Sequence, residues 1–201
     1  MRRALLLPVL LLLSSNARAG APPTRAALRK AFEANRATVV EVVGPRRAGT
    51  GVLVGSSGKV LTSVDFVQGE KATVRREGKA LSAKVRLASA ALKVALVEID
   101  PPGEYPSTAV RLGGGPSEGD WLVAIAHPPK GGEPAPVLAQ VARAPTERSN
   151  YLEVLATLPR GAPLFDDKGR LVALVVGGSR GLSRALPVPR VKDELAAGTR
   201  P

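Results

Sequence analysis

The chain has 201 residues, 44% of them hydrophobic, and 29 Lys and Arg against 17 Asp and Glu give a net charge of +12. It has no cysteine and a single histidine, which excludes a disulfide framework and leaves no ligand set for a zinc centre; no cofactor is expected. Only 3% of the residues are aromatic, so there are few platforms on which nucleic acid bases could stack.

Arg2 and Arg3 precede a ten-residue apolar run, Ala4 to Leu13, and Ala17-Arg18-Ala19 follows as an A-x-A cleavage motif. That order predicts a secretory signal peptide over residues 1–19, since the apolar run is too short to span a bilayer. Its removal would take away three arginines and leave a net charge of +9. Residues 20–36 form a lead and a helix. Ala21-Pro22-Pro23 runs stiffly into Thr24, a good N-cap, and Leu28, Ala31 and Phe32 share one face of a helix over Thr24 to Arg36.

From residue 37 onward the pattern changes to short β-branched runs separated by Gly, Pro and charged turns. Strands are predicted over Thr38–Val43, Gly51–Val54, Val60–Ser63, Ala72–Arg75, Leu81–Leu87 and Val94–Ile99. The linker Pro101-Pro102-Gly103-Glu104-Tyr105-Pro106 ends this set. A second set covers Trp121–Ile125, Leu138–Arg143, Tyr151–Ala156, Leu171–Val176 and Leu182–Leu186, with a hairpin turn at Asp166-Asp167-Lys168-Gly169. A closing helix is predicted over residues 189–197, begun by Pro189 and stopped by Gly198. Strands at this spacing, with no helical period between them, indicate an all-β barrel or sandwich.

Three segments carry chemistry by their order. The first is Gly49-Thr50-Gly51-Val52-Leu53-Val54, continued by Gly58-Lys59-Val60-Leu61-Thr62-Ser63-Val64-Asp65-Phe66-Val67. The second is Leu92-Lys93-Val94-Ala95-Leu96-Val97-Glu98-Ile99, and the third is Leu158-Pro159-Arg160-Gly161-Ala162-Pro163-Leu164. They resemble, in turn, the G-S-G-F-I-I…L-T-N-N-H-V-V, S-D-I-A-L-I-Q-I and G-N-S-G-G-P-L segments of trypsin-like serine proteases, above all the bacterial HtrA-type branch. Glu118 to Ile125 and Ala185-Leu186-Pro187-Val188 support the resemblance, which runs from about Ala37 to Leu195.

The resemblance implies two Greek-key β-barrels over residues 37–201 with the active cleft between them. The first barrel would cover about 37–100 and the second about 107–188. It also implies that Asp65 stands at the position of the catalytic histidine, Lys93 at that of the aspartate and Arg160 at that of the nucleophilic serine. The oxyanion amides would come from Arg160 and Leu158, where the family has glycine at the second. None of these residues can do the work of the one it replaces. A guanidinium is permanently charged and is no nucleophile, a carboxylate is a weak base near neutral pH, and Lys93 inverts the sign of the group that should steady the base. Leu158 resists the positive φ open to glycine, and Pro159 has no amide hydrogen. One carboxylate between two cations predicts an ion network in which Asp65 bridges Lys93 and Arg160.

Other groups read as structural. His127 falls in a loop after a strand and is expected at the surface, and Trp121 is expected in the core. A Ser63–Lys93 dyad has no oxyanion motif beside it. Ser179 and Ser183 flank a turn at Gly177-Gly178-Ser179-Arg180-Gly181, and the family's habit of binding extended peptides makes Gly177, Gly178, Ser179 and Gly181 a candidate peptide edge. The leading reading is an exported, periplasmic or secreted trypsin-like homologue without catalysis, serving as a protein-binding or regulatory module of the bacterial envelope. A divergent active serine endopeptidase with another nucleophile is the second reading. A basic adaptor for anionic envelope polymers is the third. The expected partner is an extended peptide or envelope protein, with no nucleic acid and no membrane span in the mature chain.

Overall fold

The computed structural model describes residues 20–128, 132–146 and 149–197; the expected signal peptide and Gly198 lie outside them. Helix α1 covers Arg25–Asn35, and Thr24 caps it, its hydroxyl oxygen accepting from Ala27 N at 3.2 Å. One 3-10 turn leads into β1 (Val39–Val43), β2 (Ala48–Gly55), β3 (Lys59–Ser63), β4 (Lys71–Arg76), β5 (Lys79–Ser89) and β6 (Val94–Asp100). These six close into an antiparallel barrel in the order β1-β2-β3-β6-β5-β4. The second barrel contains β7 (Trp121–Ala126), β8 (Ala135–Arg143), β9 (Leu152–Leu155), β10 (Pro163–Phe165), β11 (Leu171–Ser179) and β12 (Leu182–Pro187), closed as β10-β11-β12-β9-β8-β7. Helix α2 follows at Val188–Ala197. The all-β, double-barrel architecture expected from the sequence is therefore present.

Why the strands read as near-continuous apolar runs follows from the packing. Val97 and Ile99 of β6 point into the first barrel beside Val40, Leu53 and Val74. Val94, on the opposite face, joins Leu61, Val123, Phe165 and Leu174 in a cluster between the barrels. Strands buried on both faces need apolar residues at every position, so strict alternation is lost. Leu28, Ala31 and Phe32 of α1 cover one side of this inter-barrel core, as their shared face predicts. Asn35 fixes the helix end there: its amide donates to Ala31 O and Gly169 O (3.1 and 3.0 Å), and Thr108 Oγ1 donates to Asn35 Oδ1 at 2.8 Å.

Three local expectations are corrected. Strand β10 was not anticipated, because three residues containing a proline show no period to read. Trp121 sits half-buried on the outside of β7, its indole N–H donating to Gly20 O at 2.9 Å, where it covers the N-terminal lead instead of filling the core. Gly177, Gly178 and Ser179 belong to β11 itself, and the hairpin turn is confined to Arg180 and Gly181.

Candidate functional site

The cleft between the barrels gathers the three motif segments. Asp65 lies on a single 3-10 turn, Val64–Phe66, directly after β3. Ser63 Oγ accepts from Asp65 N at 3.4 Å, and Val64 N donates to Lys93 O at 3.2 Å, tying this turn to the β5–β6 connection. The tip of the Phe66 ring lies against Gly49: a Cβ at that glycine would fall 2.0 Å from it. Glycine at position 49 is thus required by the ring that follows Asp65. Arg47, at the end of the β1–β2 turn, sets its guanidinium 5.7 Å from the centre of the same ring.

Across the cleft, Arg160 reaches from the loop before β10 and donates from Nη1 to Asp65 Oδ2. Arg47 Nη2 donates to the same oxygen at 3.1 Å. The carboxylate is 29% exposed and the Arg160 side chain 40%, so the pair adds little net stability in this wet setting. Its effect is positional. It joins the two barrels through side chains, and Arg160 ends up between a cavity of about 150 Å³ that it shares with Arg47 and His127 and a groove of about 280 Å³ that it shares with Lys93 and Gly177.

Lys93 does not join the network. Among the described residues it has no carboxylate within 4.0 Å, and its place beside Asp65 is taken by Arg47. The expected Asp65–Lys93 bridge is corrected accordingly. Lys93 instead adopts a left-handed backbone, φ +60°, that costs a side-chain-bearing residue about 1–2 kcal/mol. Arg47 was missed because it lies 18 residues from Asp65 and in no recognisable motif. The one signal available was its place at the mouth of the Gly49-Thr50-Gly51 segment.

The loop carrying Arg160 holds the Leu158 amide in a hydrogen bond to the second barrel. Leu158 N donates to the Ser183 hydroxyl at 2.9 Å, and that hydroxyl donates onward to Ala156 O at 2.8 Å. Leu158 avoids the positive-φ region, as a leucine should. Its amide is therefore turned into the β12 side of the loop and held there. Pro159 supplies none. Gly161, at φ +80°, donates to Val175 O at 2.7 Å, and Val175 N returns a bond to Ala162 O at 2.9 Å, clamping the loop to β11.

Hydroxyls near the cleft are mostly committed. Ser63 and Ser183 are buried and hydrogen-bonded as described, and Thr50, also buried, accepts from His127 N at 3.2 Å. Ser63 makes no hydrogen bond to Lys93, so no dyad forms. Ser179 is exposed along the groove and bonds to no side chain. His127 is half-buried at the cleft and is not the surface residue its loop position suggested. Its Nδ1 faces Gly132 O at 3.0 Å, so this nitrogen carries the proton and donates; Nε2 is buried without a partner among the described residues. Among the described residues no three His, Cys, Asp or Glu side chains converge, and no helix is long and apolar enough to cross a membrane.

A family model described as the trypsin-like peptidase domain matches residues 49–174, which include all three motif segments. The chain belongs to the trypsin-like peptidase domain family. Among solved structures, the serine endoprotease from Yersinia pestis is similar over 88% of this chain and 67% of its own, with 21% identity and a TM-score of 0.76. The Rv3671c protease in its inactive form is similar over 90% of this chain and 98% of its own, with 19% identity and a TM-score of 0.74. At such identities the likeness establishes the trypsin-like fold alone. No curated protein sequence matches the chain.

Proposed function

We propose that this trypsin-like chain is exported to the bacterial envelope and binds extended peptides or protein segments there without cleaving them. The observation that carries the reading is the Arg160–Asp65 ion pair, which stands where a nucleophile and its base would have to meet. A guanidinium cannot attack a carbonyl, and a carboxylate is a weak general base near neutral pH. The Leu158–Ser183 bond supports it further, since an amide held inside the loop cannot stabilise an oxyanion. The signal-like residues 1–19 support export.

What the fold keeps is the groove beside β11, whose end pairs with β12 on one side and leaves the other edge open for an added strand. Reduced, alkylated, fluorescently labelled lactalbumin is expected to gain anisotropy when the chain is added, and to remain full length on a gel. Fragments accumulating in proportion to the chain would overturn the non-catalytic part of this reading. Unchanged anisotropy would overturn the binding part.

A further inference from the structure

The groove beside β11 has a charge character that the fold alone does not require. Of the described side chains that line it, Lys93, Arg160 and Arg184 are cationic and none is acidic. Arg160 is committed to Asp65, and Arg184 leans toward Glu153 at 3.5 Å. Lys93 is exposed and has no carboxylate partner among the described residues. Its backbone is also strained, at φ +60°, in a turn where glycine or asparagine would sit more easily. A strained residue that presents an uncompensated charge into a groove is a poor structural choice and a good ligand contact.

The backbone beside it is open. Val175 is the last β11 residue held from the β10 side, through Gly161 and Ala162. Among the described residues, Gly177, Gly178 and Ser179 pair only with Arg184, Ser183 and Leu182 of β12. Nothing lies within 4 Å of where a Gly177 Cβ would be, so the face of the strand is unobstructed there. Arg180, exposed at the hairpin tip, adds positive charge at the end of the same edge.

We propose that this groove takes an extended peptide carrying carboxylate side chains, added as a strand along Gly177–Ser179 with Lys93 as its main charge contact. The inference rests on the peptide-binding reading above and specifies the chemistry of the partner. In a strand, side chains at alternate positions share a face, so carboxylates spaced by two residues meet the cationic wall together. The strand bonds hold the backbone, and the lysine selects the charge.

The test uses three labelled hexapeptides alternating valine with Glu, Gln or Lys, and a Glu version N-methylated along one backbone edge, read by fluorescence anisotropy. The Glu peptide is expected to bind at least about tenfold tighter than the Gln peptide at low salt, with the gap narrowing as salt rises. Lys93→Gln should remove most of that gap, while Lys79→Gln, an equal charge change on β5 outside the groove, should leave it in place. N-methylation should abolish binding. Equal binding of the Glu and Gln peptides would overturn the acidic preference and leave the peptide-binding reading standing. Binding of none would overturn both. Undiminished binding of the N-methylated peptide, with full competition by inorganic polyphosphate, would mean that the surface reads charge and not a strand, and would also overturn the proposal.

Discussion

Replacing Gly161 by alanine is expected to destabilise the chain by roughly 2–5 kcal/mol, a large share of the 5–15 kcal/mol typical of a folded domain. Two causes combine. The residue sits at φ +80°, where a Cβ costs about 1–2 kcal/mol, and that Cβ would fall 1.9 Å from Thr50 O of the facing barrel. Relieving such an overlap means moving the loop or β2, for which overpacking costs of about 1–3 kcal/mol are usual. Two other glycines separate these terms. Gly181 has the same φ of +80° with nothing within 4 Å, and Gly113 has open space and no positive φ. Urea unfolding should rank the three alanine variants Gly161 far below Gly181, with Gly113 near the parent. Equal losses at Gly161 and Gly181 would mean that the loop does not press on the first barrel.

Restoring the triad alone, by Arg160→Ser, Asp65→His and Lys93→Asp, is expected to give no hydrolysis of a peptide ester above background. The Leu158 amide would still be held by Ser183, and Pro159 would still fix the backbone between the two oxyanion positions. Each missing oxyanion donor lowers turnover by about 10²–10³-fold. Adding Leu158→Gly, Pro159→Asn and Ser183→Ala releases the loop and should bring turnover above background. If the three triad substitutions sufficed by themselves, the loop geometry would not be what limits hydrolysis.

Much of this site was legible in the sequence because its motifs are local. Gly49-Thr50-Gly51, the apolar strand around Lys93, and Gly161 with Pro163-Leu164 are demanded by close backbone approaches or by burial on both strand faces. They persist whether or not the cleft is reactive. Contacts made by long flexible side chains left no such trace. Arg47 and Lys93 are both near Asp65 in the fold, yet only Arg47 reaches it, and that choice depends on the Phe66 ring beneath the guanidinium. The bond from Leu158 N to Ser183 joins residues 25 apart and follows from Leu158 refusing the glycine backbone; leucine predicted the problem without naming the acceptor. His127 was misplaced because a Pro-rich loop reads as surface, whereas its amide is anchored on the buried Thr50. Gly177–Ser179 end strand β11 although the sequence reads as turn there, since glycine pairs signal turns more often than strand ends.

The central claim is that no residue of the cleft acts as a nucleophile. A fluorophosphonate, which labels the activated serine of trypsin-like enzymes, tests it most directly. Intact-mass analysis of the full chain after prolonged exposure is expected to show no adduct, under conditions that label an active serine protease completely. A single stoichiometric adduct that disappears on substituting Ser179→Ala, the exposed hydroxyl of the groove, would contradict the account.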